Sequence, residues 1–131
     1  MYKVVLDTNI LVSGLISSIG NPAQIINAFK AKRFYLFYTD EIIAEYKDVL
    51  FRGRLKLNST DVEELIDVIY EIGYPVIPTM SDIRLPDEDD RIFYDTAKYS
   101  DCYLVTGNIK HYPTDPFIMT PADFVKLLNE N

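Results

Sequence analysis

Short β-branched or aromatic runs alternate along the chain with longer stretches of helical periodicity. That alternation predicts crossover units around a parallel sheet, an α/β fold. Lys3–Leu6 predicts the first strand, with a helix close behind near Asn9–Ile16. Asn21-Pro22 predicts a helix cap with proline at the first helical position, and that helix runs to about Lys32. Phe34–Tyr38 is the second expected strand. Thr39 then caps a helix whose apolar positions Ile42, Ile43, Tyr46, Val49 and Leu50 recur with helical spacing, and which Gly53 ends. Thr60 with Glu63 predicts a capping box for the next helix, which Gly73 closes. Tyr74–Ile77 is a short third strand, with Pro75 at its edge or start. Pro86 and the acids after it open a helix to about Ser100. Tyr103–Thr106 and a brief run near Phe117–Met119 are the last two strands, and Thr120-Pro121 caps the final helix.

Length and composition narrow the picture. A chain of 131 residues has room for one core, so a single domain over 1–131 is expected. No apolar run reaches the ~18 residues of a membrane span, and Asp7 interrupts the start before a signal-peptide core forms. The one cysteine, Cys102, lies in an apolar stretch and reads as a core residue of a reducing compartment, so the expected location is cytoplasmic. The net charge of −7 argues against a simple nucleic-acid coat, which needs a basic footprint. The charge is uneven, however. Lys30, Lys32, Arg33, Lys47, Arg52, Arg54 and Lys56 make the first 60 residues basic, while the remainder is strongly acidic. Either an anionic substrate meets that basic segment, or it is a solvated surface of mixed sign.

Acidic or amide residues recur just past the carboxyl ends of the expected strands. Asp7 follows the first and Asn108 follows the fourth by one glycine; Asp90 and Glu45 lie in the first and second turns of the helices after the third and second strands. In open parallel sheets that edge is where ligands bind, and if strands one and four are neighbours Asp7 and Asn108 converge there. Converging carboxylates repel unless a cation sits among them. Mg²⁺ and Mn²⁺ suit an all-oxygen set and can activate a water for attack on phosphate. One histidine and one cysteine make a nitrogen–sulfur zinc site a poor fit. Plainer readings stand beside this one. Asp7-Thr8 suits a helix cap and Glu45 a solvated helix face. Asp87-Glu88-Asp89-Asp90 suits any helix N-terminus, with Asp87 pairing Arg91 at i,i+4.

Four stretches together resemble the PIN-domain family across essentially the whole chain. Val4-Val5-Leu6-Asp7-Thr8-Asn9-Ile10-Leu11-Val12-Ser13 resembles its opening strand and first acidic motif. Thr39-Asp40-Glu41-Ile42-Ile43-Ala44-Glu45 resembles the second and Leu85-Pro86-Asp87-Glu88-Asp89-Asp90-Arg91-Ile92-Phe93 the third. Leu104-Val105-Thr106-Gly107-Asn108 resembles the fourth, where the family usually has aspartate in place of Asn108. Family spacing to a small helix residue and to the fourth ligand position selects Asp90 among the clustered acids, through Ala97 and Asn108.

The resemblance implies a three-layer fold with a parallel sheet of four to five strands in the order 3-2-1-4-5, flanked by helices. It implies a metal-dependent endoribonuclease similar to the toxins of toxin–antitoxin pairs, often a homodimer, with an antitoxin segment blocking the acidic site. Asp7, Glu45 and Asp90 would hold Mg²⁺ or Mn²⁺, and Asn108 would be a neutral fourth participant in catalysis. Thr8 and Thr106 would orient the carboxylates. Asp95 is a candidate for outer-sphere compensation, although five residues on an ideal helix turn it about 140° from Asp90. Arg52, Arg54 and Lys110 are candidate RNA contacts; His111, just past Asn108, is either a further phosphate contact or an ordinary surface histidine. Two rivals remain. A degenerate PIN-like module would bind RNA or protein without turnover, because Asn108 brings no charge. A receiver or aspartyl phosphatase also places an aspartate after a strand; Lys110 and Asn9 fit those chemistries poorly.

Overall fold

Val4, Val5 and Leu6 form an apolar run without polar alternation, the pattern of a strand covered on both faces. In the structure, a computed structural model that describes residues 1–77 and 79–130, they lie in β1 (Lys3–Leu6) at the centre of a five-stranded sheet and are at most 1% exposed. On one side stand β2 (Tyr35–Tyr38) and β3 (Tyr74–Pro75), on the other β4 (Tyr103–Val105) and β5 (Ile118–Met119). The order is β3-β2-β1-β4-β5 and every pairing is parallel, as the sequence led us to expect. Parallel neighbours need crossovers, and the flanking helices supply them: α1 (Thr8–Ile16), α2 (Asn21–Lys30), α3 (Asp40–Leu50), α4 (Ser59–Ile72), α5 (Arg91–Tyr99) and α6 (Pro121–Asn129).

Boundaries differ from expectation where a local competitor wins. Gly20, not Asn21, is the cap of α2; its φ of 111° is a left-handed conformation that suits glycine, and no side chain caps that end. Asn58 displaces the expected Thr60 box by accepting from the Asp61 N–H at 3.1 Å. Helix α3 stops at Leu50, and Gly53 begins a separate 3₁₀ turn, Gly53–Leu55. Strand β3 is two residues long, and Val76 N–H makes the last bond across to the Tyr38 carbonyl at 2.8 Å. The helix expected from Pro86 is split into a 3₁₀ turn, Glu88–Asp90, and α5.

Register decides what the sheet can present. Leu6 pairs with Val105, so the first residues past β1 and β4, Asp7 and Thr106, leave the sheet side by side, and Asp7 N–H donates to the Val105 carbonyl at 3.0 Å. Helix α3 is tied to the same point. Its buried Tyr46 donates through its hydroxyl to the Leu6 carbonyl at 2.6 Å and stacks on Phe93 of α5 at 6.3 Å. One tyrosine thus brings α3 and α5 to the end of β1, and the ring's burial contributes about 1.5–3 kcal/mol to that joint. Helices α1 and α2 approach closely at Gly14, where a Cβ would stand 2.4 Å from Ile26 Cδ1.

Candidate metal centre

Asp7 holds the N-cap position of α1 yet makes no capping hydrogen bond. Its carboxylate is turned the other way, and the residue is 6% exposed. Oδ2 accepts from the Thr106 hydroxyl at 2.8 Å and from the Tyr112 hydroxyl at 2.9 Å. No hydrogen bond reaches Oδ1 among the described residues, and that atom is not sealed from solvent. Thr106 is fixed in turn, because its oxygen accepts the Asn108 N–H at 3.0 Å. Asn9 Oδ1 accepts the Gly107 N–H at 3.1 Å, stapling the β4 loop to the start of α1. Burial and the Asp7 charge push the Tyr112 phenol far above its ordinary range, so it stays a donor.

Asp90 ends the 3₁₀ turn before α5 and is half-buried. Burial first, then the charge of Asp7 and that of Asp87, raise its carboxyl to about 6. His111 Nδ1 lies 3.5 Å from Asp90 Oδ2 but forms no hydrogen bond with it, so this buried oxygen has no partner among the described residues. Glu45, in the second turn of α3, is also pushed up, by burial, by Asp48 and, more weakly, by Asp89 and Asp7; Arg52 opposes the rise. Each of Asp90 and Glu45 therefore feels Asp7, although the three arrive on separate elements. Among the described residues no three histidine, cysteine, aspartate or glutamate side chains form a ready-made ion cluster.

The remaining candidates fall in different places. Thr8 is buried and its hydroxyl has no hydrogen-bond partner among the described residues, so Asp7 is oriented instead by Thr106 together with Tyr112. Asn108 is exposed at the entrance to a 3₁₀ turn, Ile109–His111. Asp95 is turned away, as its helical phase suggested. Ser81 occupies both its oxygens, through N–H at 3.1 Å and Oγ at 2.6 Å. Arg91 completes that knot by donating to the carbonyls of Ser81 and Ile83 and pairing with Glu88 at 2.6 Å, rather than with Asp87. Asp87 instead accepts from the Asp89 N–H at 2.9 Å. Arg52 pairs with Asp48 at 2.8 Å on the surface near Glu45, and Arg54 and Lys110 are exposed. A groove of about 440 Å³ runs from Glu45 between α3 and α5, lined by Glu41, Asp48, Glu88 and Asp89. A cavity of about 630 Å³ at the opposite end of β1, beside Met1, Lys32 and Arg33, has none of these acids in its lining.

Tyr112 and Tyr46 were absent from the sequence reading of the site. The available signal was chemical: a buried tyrosine must find a partner for its hydroxyl.

Taken together, the donor set is all oxygen, two carboxylates are raised by burial and, after it, by neighbouring acids that include Asp7, and two buried oxygens, Asp90 Oδ2 and Thr8 Oγ1, have no hydrogen-bond partner among the described residues. That chemistry fits a hard divalent cation that keeps part of its own water. Comparison with known proteins agrees with the geometry. The PIN domain matches residues 3–110. The uncharacterized protein MJ1680 of Methanocaldococcus jannaschii is 24% identical over 109 residues, covering 81% of this chain and 70% of its own length. With its family match spanning most of the sheet and all four acidic or amide motifs, the chain belongs to the PIN-domain family, whose fold is that of nucleases.

Proposed function

We propose that this protein is a divalent-metal-dependent endoribonuclease, acting as the toxin of a toxin–antitoxin pair. The observation that carries the reading is the buried Asp7 carboxylate, aimed by Thr106 and Tyr112 and electrostatically coupled to Asp90, whose buried Oδ2 has no hydrogen bond among the described residues. Asp7 and Asp90 would hold Mg²⁺ or Mn²⁺, with Glu45 joining directly or through water. When bound, the ion polarises a water for in-line attack on phosphorus and screens charge on the leaving oxygen.

The chain's own residues do the rest. Thr106 and Tyr112 keep Asp7 from rotating. The Asn108 amide, exposed beside the site, offers a neutral oxygen and two donors to water or phosphate. Arg52, Arg54 and Lys110 lie exposed to meet the phosphates of flanking nucleotides. Hydrolysis breaks one P–O ester bond, with the water oxygen taking its place on phosphorus and the leaving hydroxyl receiving a proton. The acidic groove beside Glu45 is complementary to a basic peptide, which supports an antitoxin segment as partner. A homodimer working in the cytoplasm, with 1–131 as one domain, completes the proposal.

RNA cleavage with Mn²⁺ is the test. Wild type is expected to cut, and Asp7→Asn and Asp90→Asn to lose nearly all activity; equal activity in the three proteins eliminates the mechanism.

One observation favours a second reading. No three acids form a ready-made cluster among the described residues, and Asn108 adds no charge, as in a module that binds RNA without cutting it. On that reading wild type binds RNA without turnover, and Asn108→Asp strengthens Mn²⁺ binding and restores cleavage.

A further inference from the structure

We infer that Tyr112, with Thr106, makes Asp7 a one-oxygen ligand and thereby selects Mg²⁺ or Mn²⁺ against Ca²⁺. The inference rests on the metal reading above and adds a positioning residue and a selectivity to it.

A carboxylate oxygen has two lone-pair directions for donors. At Asp7 Oδ2 both are taken by hydroxyls, from Thr106 at 2.8 Å and Tyr112 at 2.9 Å. Tyr112 is 6% exposed and Thr106 fully buried, so neither hydroxyl can turn to bulk water instead. Only Oδ1 is left for a cation, and two-oxygen coordination requires breaking a buried hydrogen bond to a charged acceptor. Mg²⁺ does not need it: its near-octahedral shell is small and filled largely by water. Ca²⁺ takes six to eight oxygens and readily uses both oxygens of one carboxylate. The locked oxygen therefore costs Ca²⁺ more than Mg²⁺ or Mn²⁺.

The Tyr112 hydroxyl arrives from the segment after β4, and Thr106 from the end of β4 itself. Two separate backbone positions thus hold one oxygen, so removing either donor loosens the lock without removing a ligand.

The test is direct binding to the full chain, with no substrate present. Mn²⁺ is titrated while the free-ion electron paramagnetic resonance signal is followed, and Ca²⁺ is then added as competitor. In wild type Ca²⁺ should displace Mn²⁺ poorly. Tyr112→Phe keeps the ring and should bring Ca²⁺ closer to Mn²⁺ by about tenfold, the scale of one hydrogen bond to a charged oxygen. Thr106→Val should shift the ratio in the same direction. Tyr94→Phe, which removes a hydroxyl bonded to Asp115 at 2.9 Å, should leave the ratio unchanged. An unchanged ratio in Tyr112→Phe overturns the inference while leaving the metal site standing. Equal shifts in Tyr112→Phe and Tyr94→Phe overturn it as a packing effect. Wild type that binds neither ion removes the metal reading itself, and this inference with it.

Discussion

Replacing Asp90 by asparagine should make the metal-free protein more stable while removing its ability to hold an ion. Inside the fold this carboxyl is raised from 3.8 to about 6, chiefly by burial and then by Asp7. At about 1.4 kcal/mol per tenfold change in acidity, ionising Asp90 costs the folded state roughly 3 kcal/mol more than the unfolded chain. Its side chain is 16% exposed, so solvent screening removes only part of that. Asparagine also forfeits favourable contacts: an acid at the start of α5, worth about 0.3–1 kcal/mol, and the charge facing His111. The net gain expected at pH 8 in chelator is therefore about 1–2 kcal/mol, or roughly 4–8 °C in melting temperature.

The sign follows from proton binding. Between about pH 4 and 6 folded Asp90 holds more proton than unfolded Asp90, so the Asp90 contribution to stability is greatest below that window and falls as pH rises through it. Asp90→Asn removes that slope, and the two proteins should converge near pH 4. Thermal melts in chelator at pH 4 and pH 8 measure both effects. Saturating Mn²⁺ should then raise the wild-type melting point and leave the variant where it was; a hundredfold excess over the dissociation constant adds about 2.7 kcal/mol. A variant no more stable than wild type at pH 8 would refute the claim that ionised Asp90 is held in the fold at a cost, by burial and by the charge of Asp7.

Three further outcomes follow from the same contacts. Apparent Mn²⁺ affinity should fall about tenfold per pH unit below pH 6, as protons compete for Asp90, and remain flat above pH 7; calorimetric titration at several pH values measures it. Thr106→Val should cost about 1–3 kcal/mol in urea denaturation, because it strips a donor from buried Asp7 and an acceptor from the Asn108 N–H. Arg91→Met should cost about 2–4 kcal/mol and open the segment around Ser81 and Ile83 to limited proteolysis, since Arg91 donates to both carbonyls and sits beside buried Asp95.

The acids announce themselves locally, whereas the contacts that aim them do not. Strand edges and the acids past them follow from short-range signals, namely apolar runs, caps and helical spacing; the sheet order, and with it the meeting of β1 with β4, came from the family resemblance. Asp7-Thr8 is locally indistinguishable from a helix cap. What decides otherwise is Tyr112, whose partner is 105 positions away, and Thr106, 99 positions away. Tyr46 was placed in the core by its periodicity, and it is buried; periodicity records where a ring goes and says nothing about its hydroxyl. Because a buried phenol must be satisfied, each core tyrosine poses a pairing question that only tertiary structure answers. Here Leu6 answers for Tyr46 and Asp7 for Tyr112, both at the carboxyl end of β1. The apolar bodies of the two tyrosines stabilise the fold and their hydroxyls fix the site, so Tyr→Phe at either position should separate the two roles: folding survives while the geometry at Asp7 relaxes.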